Sequence, residues 1–174
     1  MHIEEIGLTD CRVIQSTLAA DERGSLMKPF QKEFFAENSL WSNFSEALTT
    51  VSKQNVIRGM HYQAPPYSSI KLVWVTSGII LDVVLGIRGK DTGKTYYEML
   101  CGEVPRALYI GRDYAHGFRV VSQVAVVNYL ISEPYRSDHD RGIRWDSFGF
   151  NWNIKDPIIS NKDQFLPIFI PGEQ

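Results

Sequence analysis

From Glu46 to Ser132 the chain runs in short stretches of β-branched and apolar residues, each closed by turn residues, and this rhythm leaves few folds open. The stretches are Leu48-Thr-Thr-Val51, Val56 to Tyr62, Ile70 to Thr76, Ile79 to Ile87, Thr95 to Leu100, Arg106 to Ile110, Tyr114 to Val121 and Ala125 to Ser132. Between them fall Ala64-Pro-Pro66, Ser77-Gly78, Gly89-Lys-Asp-Thr-Gly93 and Gly111-Arg-Asp113. β-Branched and aromatic side chains suit a pleated, half-buried surface, whereas Gly, Pro and Asp supply turn backbone. Short strands about ten residues apart, with turn signals between them, predict an all-β barrel or sandwich.

The flanks read differently. Cys11-Arg-Val-Ile14 predicts a strand, and Asp21-Glu-Arg-Gly24 a turn with Arg23 at its tip. Phe34, Phe35, Trp41 and Phe44 recur at near-helical spacing, so Phe30 to Phe44 predicts a helix, broken into two pieces at Asn38-Ser39. From Pro134 the chain is polar and loop-like but carries Ile143, Trp145, Phe148, Phe150 and Trp152. Such a tail is expected to lie across the barrel.

A chain of 174 residues predicts one domain covering 1–174, long enough to bury about two thirds of its unfolded surface. The net charge of -2 gives no electrostatic case for nucleic acid or an anionic membrane, and leaves room for a local cationic site that holds a phosphorylated small molecule. Cys11 and Cys101 lack zinc-type spacing, so two free buried thiols in a reducing compartment are expected. Met-His-Ile-Glu-Glu-Ile at the start has no apolar leader core. No apolar run approaches the roughly 20 residues of a membrane helix. These readings predict a cytoplasmic protein.

Candidate chemistry concentrates in Asn55-Val-Ile-Arg-Gly-Met-His-Tyr-Gln63 and the Lys71 that follows: Arg58, His61 and Lys71 lie within fourteen residues. Arg58 and His61 would occupy opposite faces of an ideal strand, and a bulge at Gly59 would bring them to one face. Of four histidines, His2 and His139 sit in polar ends and are expected in solvent. His61 and His116 lie in β-rich, aromatic surroundings, where a structural and a functional role weigh about equally. Neither has a second histidine at closely spaced positions, so no metal site is expected, although a His pair with a carboxylate stays open as a rival. Asp82 interrupts an apolar strand and needs a partner if it points inward; Lys71 or Arg58 would make an ion pair with it, either structural, the favoured role for Asp82, or orienting a cation toward substrate. Tyr129 in the last strand reads as core. Asp163, in Ser160-Asn-Lys-Asp163, reads as a loop or helix-cap carboxylate.

Taken together, these segments resemble the dTDP-4-dehydrorhamnose 3,5-epimerase family of cupins, from about Asp21 to Pro167. The resemblance rests on Val56-Ile-Arg-Gly-Met-His-Tyr-Gln63 with Pro65-Pro66 and Lys71-Leu-Val73, and on Gly78-Ile-Ile-Leu-Asp82-Val with Ile87-Arg88. It extends to Ala115-His-Gly-Phe118, Tyr135, Arg141-Gly-Ile-Arg-Trp-Asp146 and Ser160-Asn-Lys-Asp163. It implies a cupin-type jelly-roll barrel with a few short helices, in a homodimer that shares N-terminal strands. It also implies epimerisation of a nucleotide-linked 4-keto-6-deoxyhexose with no cofactor and no metal. Carried over by position, His61 would be the general base, Asp163 its carboxylate partner and Tyr129 the general acid. Lys71 and Arg58 would face the ketone and the diphosphate, and Arg23 and Tyr135 would help hold the nucleotide. His116, Glu46 and Lys28 complete the expected substrate shell.

Some positions depart from the family pattern. After Arg23-Gly24 the family has an aromatic residue and a glutamate where this chain has Leu26 and Lys28. Ahead of the central motif it has a glutamine and an asparagine where this chain has Glu46 and Leu48. Before His116 it carries proline and glycine in place of Gly111 and Asp113. The reacting groups are retained and part of the nucleotide-facing shell is changed. The rival readings are a single-carbon epimerase or keto-sugar isomerase, a non-catalytic sugar-nucleotide-binding cupin, and a metal-dependent cupin oxygenase.

Overall fold

Nearly every turn between the apolar runs sends the chain from one sheet to the other. The structure, a computed structural model, describes residues 1–173. Its strands are β1 (His2–Glu5), β2 (Cys11–Gln15), β3 (Leu18–Asp21), β4 (Gly24–Met27), β5 (Glu46–Lys53), β6 (Ile57–Gln63), β7 (Lys71–Ser77), β8 (Ile79–Gly86), β9 (Thr95–Cys101), β10 (Arg106–Ile110), β11 (Tyr114–Val120), β12 (Val124–Ile131) and β13 (Asp140–Gly142). Two short helices, α1 (Lys32–Glu37) and α2 (Asn161–Gln164), complete the elements used below. A six-stranded sheet runs β1-β2-β10-β7-β12-β5, a five-stranded sheet runs β13-β6-β11-β8-β9, and β3 pairs only with β4. From β5 to β13 the chain changes sheet at every step except β8 to β9. This is the jelly-roll barrel expected of the cupins.

The core lies between the sheets. Val13, Val73, Leu108 and Val127 from the first sheet meet Ile80, Val84, Phe118 and Val120 from the second, all essentially inaccessible to solvent. Each such side chain contributes about 1.5–3 kcal/mol relative to exposure. The outer faces are covered too. Trp152 and Ile143 from the tail, flanked by Trp145, Phe148 and Phe150, pack on Leu81, Val83 and Leu85. The tail therefore crosses the barrel as expected. Cover on both faces explains why β8 reads as a continuous apolar run rather than an alternating one.

Three expectations change. The aromatic segment is helical only over Lys32–Glu37: the chain leaves the helix at the expected break, Asn38, with Ser39 at a positive φ of 59°, but the second piece does not form. Phe30, Phe35 and Phe44 instead form an edge-to-face cluster, with Phe35 buried on Ile14, Leu72 and Tyr109. Near-helical spacing is thus produced by a folded-over loop that lines a sheet face. Cys101 is only half-buried, although both thiols are free. His139 is also half-buried, edge-on to Tyr67 at 4.7 Å. The strands β1, β3, β4 and β13 add to the predicted set; β1 and β13 are short, polar and at sheet edges, and β3 and β4 form an exposed hairpin around the expected turn.

Candidate active site

The bulge anticipated in β6 is present. His61 pairs with His116 and Arg58 with Phe118, so three residue steps of β6 oppose two of β11. The extra residue puts Arg58 and His61 on the same inward face, while Ile57 and Met60 turn outward under the tail. Gly59 sits at φ 128°, and a Cβ there would lie 2.5 Å from Gly117 Cα. Only glycine satisfies both demands.

Between the sheets a cavity of about 340 Å³ opens to solvent. Arg58 and His61 from β6, Lys71 from β7, His116 from β11 and Tyr129 from β12 line its wall. Glu46, Tyr135, Asp140 and Lys162 also line it. Asp163 supports it from behind: its Oδ1 lies 2.8 Å from His61 Nε2 and its Oδ2 accepts from the Gly59 N–H at 3.2 Å. The Asp163 N–H in turn donates to Ser160 Oγ at 3.1 Å, which caps α2. Burial works against ionising this carboxyl, but hydrogen bonds from His61, Gly59 and Ser160 outweigh it and hold Asp163 below the ordinary carboxylate range. An ionised Asp163 can only accept, so His61 Nε2 keeps its proton and donates it in the hydrogen bond, and the basic lone pair of His61 is on Nδ1.

Lys71 Nζ donates to the His61 carbonyl at 2.9 Å. Desolvation pulls its ammonium down to about 8, against the opposing charges of Asp140 and Asp82. Tyr129 is 7% exposed. Burial and then the Asp82 charge push its phenol well above the ordinary range, while Arg58 and Thr50 act the other way. Arg58 Nε donates to Ser52 Oγ at 2.8 Å.

The partner of Asp82 is neither Lys71 nor Arg58. It is His116, whose Nε2 sits 3.0 and 2.9 Å from the two Asp82 oxygens in a fully buried pair. The register makes this so: His116 and Phe118 point inward on β11, opposite Val84 and Asp82 on β8. The pair is local to two adjacent strands, and the alternation of Ile80, Asp82 and Val84 places all three on the same inward face.

Arg23 and Lys28 stand outside this cavity. Arg23 is at the exposed tip of the β3–β4 hairpin, paired with Asp21. Lys28 follows β4, and its backbone is held by Ser16 Oγ. Residues not singled out from the sequence also line the cavity: Thr50, Glu133, Asp140 and Lys162. The Tyr135 hydroxyl donates to Asp140 at 3.0 Å and Lys162 pairs with the same carboxylate, while Glu46 accepts from the Tyr135 N–H at 3.0 Å. Asp140 and Lys162 each lie in segments that carry the family resemblance or adjoin it, the one signal that would have found them.

The site thus sets an imidazole fixed by a carboxylate, a phenol and a cation around one cavity. Such a set can take a proton from a carbon acid, hold a developing oxyanion and return a proton. Among the described residues no three His, Cys, Asp or Glu side chains converge as a metal ion would require. The family model for dTDP-4-dehydrorhamnose 3,5-epimerase matches residues 5–170. A dTDP-4-dehydrorhamnose 3,5-epimerase from Methanothermobacter thermautotrophicus is 36% identical over 159 residues, covering 87% of this chain and 85% of that protein. The crystal structure of the Elizabethkingia anophelis epimerase superposes with a TM-score of 0.90 at 31% identity, covering 97% of this chain and 96% of that one. An epimerase from Legionella pneumophila, solved in complex with dTDP-4-keto-L-rhamnose, superposes at 0.91 with 26% identity over 97% of this chain and 92% of that one. Matched along nearly its whole length in sequence and in fold, this chain belongs to the dTDP-4-dehydrorhamnose 3,5-epimerase family, a family of isomerases.

Proposed function

We propose that this chain epimerises a nucleotide-diphospho-4-keto-6-deoxyhexose by removing and returning protons next to the C4 ketone. The observation that carries the reading is the His61–Asp163 pair, 2.8 Å apart, opening on the same cavity as Tyr129 and Lys71. The hydrogens on C3 and C5 flank the ketone, so loss of either leaves an enolate. His61 takes the proton at Nδ1, with Asp163 fixing the tautomer and balancing the imidazolium. Lys71 stands by the ketone oxygen as its negative charge grows. Tyr129 returns a proton from the opposite face of the sugar, which inverts the carbon. Arg58 faces the diphosphate, and Tyr135, His116 and Glu46 hold the rest of the ligand.

The substituted shell bears on specificity. Glu46 and Leu48 occupy the cavity wall where the family carries amides, so dTDP-4-keto-6-deoxyglucose is expected to be a poor substrate beside another nucleotide or sugar. Arg23 and Lys28 act in a homodimer, reaching the partner's cavity from the exposed hairpin. Such pairing also covers the unpaired sheet edges at β1 and β5. The two unpaired thiols fit a reducing, cytoplasmic compartment.

The test is a panel of nucleotide 4-keto-6-deoxyhexoses incubated in deuterium oxide and followed by proton NMR. The expected result is solvent deuterium at each inverted carbon. Label at C3 or C5 alone makes the enzyme a single-carbon epimerase; no exchange with any member of the panel overturns the catalytic reading.

A further inference from the structure

Every second residue of β5 faces the barrel interior, giving the row Glu46, Leu48, Thr50 and Ser52. Two of these hold neighbours in place: Glu46 accepts from the Tyr135 N–H at 3.0 Å and Ser52 Oγ accepts from Arg58 Nε at 2.8 Å. Thr50 is different. Its Oγ1 is buried on the cavity wall and has no well-formed hydrogen bond among the described residues, and the Tyr129 phenol is the group its hydroxyl acts on. A buried hydroxyl without a partner is unfavourable, and native proteins retain few of them. The register of β5 with β12 sets Leu48 opposite Tyr129 and Thr50 opposite Val127, so Thr50 and Tyr129 are diagonal neighbours on one face.

We propose that Thr50 is a positioning residue for Tyr129: its rotatable hydroxyl turns to the phenol oxygen and donates to it as the phenol gives up its proton. The inference rests on the reading of Tyr129 as the acid. In that step the Tyr129 O–H bond breaks, the proton forms the new C–H bond with the enolate electron pair, and a phenolate remains. Solvent later returns a proton to the phenolate and takes one from His61. The phenolate forms where burial and the Asp82 charge both resist it, and the Arg58 charge and the Thr50 hydroxyl are the groups that favour it. A threonine hydroxyl can do this without losing its own proton, because it pivots about Cβ–Oγ1. The inward row of β5 then serves two functional side chains, with Ser52 steadying Arg58 and Thr50 steadying Tyr129.

The experiment compares Thr50→Val, Thr50→Ser, Tyr129→Phe and the Thr50→Val/Tyr129→Phe double variant in deuterium oxide. The measured quantity is the ratio of inverted to retained configuration at the labelled carbon. A hydrogen bond to a charged group is worth roughly 10- to 100-fold in rate, so Thr50→Val should lower the inverted fraction by about that factor. Thr50→Ser should recover most of it, and Thr50→Val should add nothing once Tyr129 is Phe. If Tyr129→Phe loses inversion but Thr50→Val and Thr50→Ala both keep the wild-type ratio, the proposal fails while the acid assignment stands. If Tyr129→Phe inverts normally, the acid assignment fails and takes the proposal with it. An equal loss from Thr50→Val in both backgrounds marks a packing defect and also overturns it. Thr50→Ala serves in place of Thr50→Val if the valine variant does not fold.

Discussion

Two histidine–aspartate pairs face one cavity, and they are built in opposite ways. His61 draws its carboxylate from Asp163, 102 residues away, on a short helix in the tail; its side chain keeps 34% of its surface exposed. His116 draws its carboxylate from Asp82 on the adjoining strand, and the pair is sealed, at 3% and 0% exposure. The chemistry of the pair is the same in both. Access and the extra donors on the carboxylate differ, and these decide what each can do. A half-open imidazole beside an ionised carboxylate can exchange protons with a ligand and then with water. A sealed one is held in a single orientation, suited to presenting a fixed group to the cavity and to tying β8 to β11.

The largest expected effect separates the two pairs by activity. His61→Ala should lower turnover and solvent exchange at C3 and C5 by about 10²–10⁴-fold, with a smaller drop in the denaturant midpoint than Asp82→Ala because the imidazole is half-open and Asp163 keeps the Gly59 N–H. Wild-type exchange in this variant would put the base elsewhere.

Asp82→Ala should reverse that pattern. Removing one partner of a buried pair costs about 3–5 kcal/mol of stability. Urea unfolding should show it as a lower midpoint, with residual activity in the fraction that folds. A normal midpoint would mean that the sealed pair is not structural.

Asp163→Asn comes next. It keeps the shape but presents an amide to His61 Nε2, which lets the ring adopt the wrong tautomer. Turnover should fall to a value between wild type and His61→Ala. The variant should also lose part of the acid dependence of stability. A carboxyl held below its unfolded value near 3.9 stabilises the fold fully above that pH, and the contribution disappears as pH falls through the folded value. The wild-type midpoint should therefore drop more steeply than the variant's below about pH 4.

The smallest effect concerns Lys71, which touches the His61 carbonyl and feels the Asp82 charge. With the ammonium lowered to about 8, its help to the oxyanion should fade as pH rises through that value. Between about 8 and the unfolded value near 10.4 the unfolded chain binds more protons, so this group makes stability rise with pH. Lys71→Arg should move the alkaline fall in turnover to higher pH while keeping the acid limb. An unchanged alkaline limb would remove Lys71 from the oxyanion role.

Much of the barrel is legible locally. The strand expected over Arg106 to Ile110 matches to the residue, and the other central strands lie within a residue or two of their expected ends, because buried β-branched runs and Gly or Pro turns mark themselves in the sequence. Of the helix expected over Phe30 to Phe44 only the first piece forms, Lys32–Glu37, ending at the expected break; the second does not, because aromatic spacing reports which side chains are buried, not whether the backbone between them is helical. β1, β3, β4 and β13 escape a sequence reading because short strands at a sheet edge or in an exposed hairpin show neither alternation nor an apolar run.

The same division runs through the site. Arg58, Gly59, His61 and Lys71 lie close along the chain, so one motif and a single inserted residue in β6 are enough to place them together. By composition and spacing Tyr129 and Asp163 are an ordinary core tyrosine and an ordinary cap; only the family resemblance gives them roles. The central strands, the bulge and the clustered cations are readable along the chain, since these follow from steric preference and pattern over a few residues. Tertiary structure decided which carboxylate each histidine meets and which hydroxyl lies beside Tyr129. Those partners depend on strand register and on where the tail crosses the barrel, and both are set by the summed burial of distant side chains rather than by any residue's neighbours in the chain.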